Sequence, residues 1–393
     1  MRILALLAIL PAAAGAQTFT YGERNTDFPP AFPEQFQAPL TPSDISLTTE
    51  LLAGNLVHPW GIATLPDEGG WLVTERPGRL RHLAADGTLS DPVAGIPDLV
   101  AERQGGLLDV ALAPDFTESR AIYVTYAKPV EGGSATAAAR MILADDLTSV
   151  SEVEDIFVQD PPSPTPMHYG SRIAFLADGT MAITTGEHSS DAERVFAQDL
   201  DKTYGKVIRV NLDGSVPDDN PFVGQDGAVD TIWSLGHRNI QGAAVDADGT
   251  LWTIEHGPAG GDELNRPEPG LNYGWPLISY GERYSGGAIG TGESAAEGLE
   301  QPVYFWDPVI APGGMAFHSG ETFAEWNGDI LASSLNPGGV VRLSLDADGR
   351  VAEEERLLRD VGRVRDVEVQ PDGSFLILTD FENGSVMRVT PEG

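Results

Sequence analysis

The chain has no cysteine. That excludes disulfides, thiol nucleophiles and thiolate metal sites. Lysine is almost as scarce: Lys128, Lys202 and Lys206 are the only three, so cationic work in the second half of the chain falls to arginine. Positive charge is short overall, with 24 Lys+Arg against 59 Asp+Glu and a net charge of −35. Such a surface repels nucleic acid and anionic lipid. It favours solubility in a salty medium, with a basic partner as the second reading. After the first residues no stretch is long and apolar enough for a membrane helix.

Turn formers are abundant instead. Gly 45 and Pro 29 exceed the average usage of about 7% and 5%, so many short elements separated by turns are expected. A length of 393 residues is large for one domain, but closed all-β architectures reach it.

The opening MRILALLAILPAAAGAQ has a basic Arg2, an apolar run and a small-residue cleavage site, Ala14-Gly15-Ala16. Residues 1–16 therefore read as a signal peptide, which places the mature chain in the periplasm or outside the cell. Residues 17–46, with Phe28, Phe32 and Phe36 among several prolines, read as an extended arm wrapping the domain surface. Residues 47–393 read as one domain.

In that domain a phrase recurs: an apolar run, a Pro-Asp or Asp-Gly turn, then an alternating apolar run. Its six copies are GIATLPDEGGWLVTE (61–75), VALAPDFTESRAIYVTYA (110–127), IAFLADGTMAITTG (173–186), AAVDADGTLWTIEHG (243–257), MAFHSGETFAEWNGDILASS (315–334) and VEVQPDGSFLILTD (367–380). Each reads as strand, turn, strand. Six β-units at a spacing of about 50–70 residues predict an all-β fold, a six-bladed β-propeller with four-stranded antiparallel blades. Loops between blades then gather at one mouth of the central channel.

Several loops carry polar residues that a turn does not need. Gln104 opens QGGLLDVALAPDF. His168 lies between a Pro-rich loop and a strand in PTPMHYGSRIAF, and it is a candidate base. It and His256 stand in glycine-bearing loops, read here as the same relative place in their repeats. His237, Arg238, Asn239 and Gln241 cluster in SLGHRNIQG, where the arginine fork suits a carboxylate or quinone oxygen. TIEHGPAGGDELN combines acids with Gly257 and Pro258, which present bare carbonyls, while Asp262, Glu263 and Asn265 read as candidate ligands for a second ion, against the plainer reading of an acidic, solvated turn. Such oxygen-rich sets favour calcium or magnesium over zinc. Arg363 and Arg365, at i and i+2, share one face of a strand.

HPWGIATLPD, ERPGRLR, QGGLLDVALAPDF, HYGSRIAF, GKVIRVNLDGSVPDDNPF, SLGHRNIQG, EHGPAGGDELN, NYGWP and GRVRDVEVQPDG occur in this order. Over roughly residues 48–390 the chain resembles the soluble PQQ-dependent aldose sugar dehydrogenases, relatives of soluble quinoprotein glucose dehydrogenase. The resemblance implies pyrroloquinoline quinone (PQQ) over the channel mouth and Ca2+ between the quinone and the carbonyls of Gly257 and Pro258. It makes His168 the base for an aldose hydroxyl and matches Gln104, Arg238, Asn239, Arg363 and Arg365 to cofactor contacts. Arg238 also stabilises charge growing on the quinone oxygen. Glu263 and Tyr273 match ligands of a further, structural calcium. Where some relatives carry a cofactor-contacting lysine, SLNPGGVVRL has Asn336, which can hydrogen-bond but brings no charge. The implied reaction oxidises an aldose to a lactone, with a cytochrome or quinone as electron acceptor. A non-enzymatic binding propeller and a calcium-dependent lactonase are the alternatives on the same fold.

Overall fold

Each recurring phrase is one antiparallel hairpin, and the six hairpins line a ring. They pair Pro59–Thr64 with Trp71–Glu75, Leu107–Leu112 with Ala121–Val130, Gly170–Phe175 with Met181–Thr185, Ile240–Val245 with Leu251–Glu255, Pro312–Phe317 with Ile330–Ser334, and Val364–Val369 with Phe375–Thr379. The structure is a computed structural model that describes residues 19–392. The signal-peptide reading of residues 1–16 falls outside the described residues. Consecutive innermost strands touch all the way round, the last against the first. The protein is a six-bladed β-propeller, as the repeats predict.

Five sheets have four strands. The first blade has three, ending with Arg79–Leu83, and a remnant fills the fourth place: Leu89 bridges Leu83, and Ser90 and Val93 donate to the carbonyls of His82 and Leu80 at 2.8 Å. Pro92 explains the short pairing, because it has no N–H to extend the ladder. The ring closes with Leu47–Leu56 paired antiparallel to Gly384–Pro391, which ties both ends of the domain into the last blade.

Large apolar side chains fill the gaps between blades. Between the fourth and fifth, Trp252, Tyr304 and Trp306 pack with Ile254, Leu264, Ile330 and Leu343. Burying one such side chain contributes about 1.5–3 kcal/mol. Residues 19–46 lie over the outer strands of these two blades. Phe36 stacks on Phe305 at 4.5 Å, Asn25 and Thr26 donate their backbone N–H groups to Asp307 at 2.8 and 2.9 Å, and Leu40 bridges Glu354. The segment so covers strand edges that would otherwise offer free pairing groups.

All six inner hairpins lose register at the same end of the innermost strand. The shifts fall at Pro59/Ile62, Leu107/Val110, Gly170/Ile173, Ile240/Gly242, Pro312/Met315 and Val364/Asp366. A bulge leaves residues unpaired and re-aims their side chains. Trp60, Leu108, Gln241 and Arg365 lie in these interruptions, and all four line a cavity at that mouth of the channel. Among the described residues no helix is long and apolar enough to cross a membrane.

Candidate active site

Two kinds of position build the mouth: the residues just before the innermost strand in all six blades, and those just after the second strand in five of them. The first set supplies His58, Gln104, His168, Arg238 with Asn239, Ala311 and Arg363. The second supplies Arg76, Glu187, His256, Leu335 and Asp380. The placing of His168 and His256 at equivalent points of their repeats is therefore corrected. His168 precedes its blade and corresponds to Arg238, while His256 follows a second strand and corresponds to Gly186, one residue before Glu187. Both still reach the same mouth, because an antiparallel hairpin returns to the end where it began.

The cavity holds about 650 Å³ including its open mouth. Its wall comprises Trp60, Leu108 and Leu335 on the apolar side, and Gln104, Asn239, Gln241, Arg76, Arg363, Arg365 and Asp380 on the polar side. Below it, Arg172 pairs with Asp109 at 2.9 Å and Asp366 at 3.1 Å and lies 4.6 Å from the Trp60 ring. This buried cluster spans the channel beneath the site.

His168 is 6% exposed, just behind the wall residues Tyr169 and Gly170. Its backbone N–H donates to Gln104 Oε1 at 2.8 Å, and its Nδ1 lies 2.8 Å from Glu187 Oε1. Nε2 has no partner among the described residues. Burial lowers the imidazole pKa well below 6.5, helped by the positive charges of Arg238 and Arg194. Burial raises Glu187 to about 7, against the pull of the same two arginines. When ionised, Glu187 takes the Nδ1 proton in a hydrogen bond and leaves Nε2 as a free acceptor, the form a general base needs. Gly186 makes the pairing possible, since a Cβ there would sit 1.9 Å from the His168 carbonyl oxygen.

Glu255 organises the next loop. Its carboxylate accepts from His237 Nδ1 at 2.9 Å, from the Arg238 N–H at 2.6 Å and from Asn265 Nδ2 at 3.1 Å. Arg238 is thereby fixed from its backbone. Its Nη1 donates to the His256 carbonyl at 2.9 Å, its guanidinium lies 5.2 Å from the Trp275 ring, and its buried Nε has no partner. Asn239 Oδ1 accepts from the Gly170 N–H at 3.1 Å, which joins this loop to the His168 loop.

The last blade brings Arg363 and Arg365 together, as their spacing implies. The anion between them is the chain's own Asp380, which accepts from Arg365 at 2.8 Å, Arg363 at 3.2 Å and His58 Nδ1 at 2.8 Å. Arg365 also donates to Gln241 Oε1 at 2.9 Å. Asn336 is exposed beside the wall residue Leu335 and does not itself line the cavity.

The proposed cation ligands occupy two places. Asp262 accepts from the Gly257 N–H at 2.7 Å and from those of Ile310 and Ala311 at 2.8 and 2.7 Å. The carbonyls of Gly257 and Pro258 accept no hydrogen bond among the described residues, which fits a cation held by backbone oxygens. Glu263 lies opposite Glu255 in the strand pairing, and burial, then the charge of Glu255, raises its pKa well above 4.5. Asn265 Oδ1 beside them is buried without a partner. The Tyr273 hydroxyl is engaged by Arg266 and Glu268, and its ring stacks on His237 at 4.7 Å. Only its backbone oxygen would remain for an ion. Among the described residues no three acidic or histidine side chains converge as a metal cluster.

Sequence reasoning missed Glu187, Arg76, Asp380 and Trp60. The repeats carry a signal for two of them: Arg76 and Asp380, like His256, directly follow the second strand of a copy, so aligning the copies would have gathered them, whereas Glu187 stands one residue further on.

The propeller carries a buried histidine at the edge of an arginine-rich cavity, and its relatives place it in the sugar dehydrogenase class of oxidoreductases. The sequence profile of the glucose / sorbosone dehydrogenase family matches residues 56–388, and the chain belongs to that family. It is 44% identical over 351 residues to the aldose sugar dehydrogenase YliI of Escherichia coli (strain K12), covering 88% of this chain and 93% of that one. Quinoprotein glucose dehydrogenase B of Acinetobacter calcoaceticus is 26% identical over 433 residues, covering 89% and 90%. The PQQ-bound form of aldose sugar dehydrogenase from Streptomyces coelicolor superposes with a TM-score of 0.70 at 26% identity, over 88% of this chain and 99% of that one.

Proposed function

We propose that this sugar dehydrogenase oxidises the anomeric carbon of an aldose to a lactone with PQQ and Ca2+ as cofactors, and that it works after export, in the periplasm or outside the cell. The observation that carries the reading is the His168 pair: Nδ1 held by Glu187, Nε2 free, beside a cavity with three arginines. The cavity suits a polyanionic quinone, because Arg76, Arg363 and Arg365 face one carboxylate, Asp380. The unpartnered Arg238 Nε and the free Gly257 and Pro258 carbonyls add a donor and a cation seat.

When bound, PQQ supplies a quinone carbonyl carbon that accepts hydride, and calcium supplies Lewis acidity beside it. The chain's own residues do the rest. His168 Nε2 takes the proton of the anomeric hydroxyl. Glu187 steadies the imidazolium that forms. Arg238 holds positive charge where negative charge develops. Gln104 and Asn239 fix the loops on either side of His168. Trp60 and Leu108 make the wall apolar. Glu263 and the Tyr273 carbonyl hold a second, structural calcium. Asn336 stands at the rim beside Leu335, where a bound cofactor would have to reach out to it for a contact. A cytochrome or quinone takes the electrons, and the acidic surface suits a basic partner.

The test is to purify the mature chain without cofactor, add PQQ and Ca2+, and follow dye reduction with a panel of aldoses. Reduction that needs sugar, PQQ and Ca2+ together is the expected result. PQQ failing to bind in the presence of Ca2+ would put the binding-propeller alternative first.

A further inference from the structure

Arg76 is the anomaly of the cavity. Its neighbours on the polar wall are all engaged: Arg363 and Arg365 on Asp380, Gln241 on Arg365, and Asn239 on Gly170. The Arg76 guanidinium is half-buried on the same wall, yet makes no ion pair or hydrogen bond among the described residues. Arg79 and Arg81, which follow it closely, are both taken up by Glu75. Arginine side chains at a wall of this kind ordinarily find a carboxylate, because a desolvated charge without a partner is costly.

The backbone shows that Arg76 is placed rather than left over. Its N–H donates to the His58 carbonyl and its own carbonyl accepts from Leu107, both at 3.1 Å. Gly106 lies against it with φ +150°, and a Cβ there would come within 2.0 Å of the Arg76 carbonyl oxygen and 2.4 Å of its Cγ. The second glycine of Gln104-Gly105-Gly106 thus leaves room for both the backbone and the stem of Arg76. Burial lowers the Arg76 pKa, and the nearby charges of Arg365 and Arg363 act in the same direction against Asp380. The cavity holds three guanidinium groups and one carboxylate, an excess that a bound anion would relieve.

We propose that Arg76 is a fourth guanidinium contact of the anionic cofactor, beside Arg238, Arg363 and Arg365, holding a PQQ carboxylate by a forked, charge-assisted hydrogen bond. The assignment rests on the proposed PQQ reading. Arg363 and Arg365 are pre-positioned by Asp380, whereas Arg76 has its charge free for the ligand. Arginine suits the task because its planar fork matches a carboxylate.

The experiment measures PQQ binding to the mature chain with Ca2+ by calorimetry, without sugar or electron acceptor, at low and moderate ionic strength. Arg76→Gln should weaken PQQ roughly 10- to 100-fold at low salt and flatten the salt dependence. Arg76→Lys should recover part of the loss. Arg79→Gln removes a positive charge three residues away and should leave affinity within about twofold. Thermal unfolding of each variant without PQQ checks the fold, and Arg76→Lys stands in if Arg76→Gln fails to fold. Equal affinity in Arg76→Gln and the parent would overturn the assignment while leaving the PQQ reading intact. Equal weakening by Arg79→Gln would reduce the effect to the general field and overturn it too. A parent chain that does not bind PQQ removes both.

Discussion

His168 Nδ1 and Glu187 Oε1 meet at 2.8 Å, and both side chains are buried. The pair joins the loop before the third blade to the loop after that blade's second strand, so the register of one hairpin sets its geometry. An imidazole held this way has its ring orientation fixed by Glu187 and its Nε2 without a partner among the described residues, the preorganisation that the proposed base needs. His168→Ala should lower kcat by roughly 10²–10⁴-fold, with PQQ affinity nearly unchanged. Glu187→Ala should lower kcat about 10²-fold by freeing the ring. Steady-state kinetics beside PQQ titration separates the two effects, and full activity in either variant removes that residue from the proposed roles.

The pH profile follows from the same pair. His168 stays neutral at any pH near 7, because burial holds its pKa well below 6.5. The group that titrates is Glu187, raised to about 7. Once protonated it can donate to Nδ1, which moves the ring proton to Nε2 and removes the acceptor. So kcat/KM should fall as pH drops through about 7, and Glu187→Gln should lose that limb. For stability the sign is that of a raised acid. Its contribution is full below 4.5, the ordinary glutamate value, and is lost as pH rises through about 7. Between pH 4.5 and about 7 the melting temperature should therefore decline less in Glu187→Gln than in the parent.

The propeller was legible because the inner hairpins repeat their turn chemistry, and each quoted phrase is the inner half of a blade. His168, Arg238 and the Arg363–Arg365 pair were legible because polar residues stand out in loops that need none. Glu187 was not, because one glutamate in TTGEHSSD looks like any solvated turn acid. Only the fold shows that Gly186 lets it pass under the His168 backbone. The aim of Trp60 and Gln241 was hidden for another reason: alternation along a strand gives the wrong face once a bulge intervenes.

Gly186 gives a steric test of that arrangement. Its carbonyl accepts from Gln159 Nε2 at 2.9 Å and from the Gly205 N–H at 3.2 Å, so the backbone cannot easily retreat. Gly186→Ala places a methyl 1.9 Å from the His168 carbonyl oxygen and 3.0 Å from Asn239 Oδ1. A cost of about 1–3 kcal/mol is expected, with kcat reduced more than PQQ affinity. A variant with unchanged melting temperature and kcat would show that the His168 loop is not seated this tightly.

Glu263 offers a readout of the proposed structural calcium that is independent of the chemistry. A buried carboxylate opposite Glu255 is costly unless a cation or a proton joins it. Calcium that binds only the folded chain stabilises it by mass action, about 2.7 kcal/mol at a hundredfold excess over Kd. Calcium should therefore raise the melting temperature of the cofactor-free parent, and chelator should reverse the rise. In Glu263→Gln the rise should shrink to whatever a site at Gly257 and Pro258 provides. An undiminished rise would place the stabilising ion elsewhere.

Asn336 tests whether cofactor affinity is set by charge at the rim. The residue is exposed beside Leu335, whose carbonyl accepts from Arg363 at 3.2 Å. A lysine stem is long enough to bring an ammonium over the cavity edge from that position, where the asparagine amide stays outside the wall. The cavity already carries more positive than negative side chains, so a new cation is repelled by the arginines and attracted only by the ligand. Asn336→Lys should then lower the melting temperature of the empty chain slightly and tighten PQQ by roughly tenfold, the 1.4 kcal/mol of one favourable charge contact. Calorimetry and thermal unfolding should move in opposite directions. If PQQ affinity stays level while the empty chain is unaffected, position 336 points away from the cofactor, and Gln104, Asn239 and the three arginines suffice to hold it.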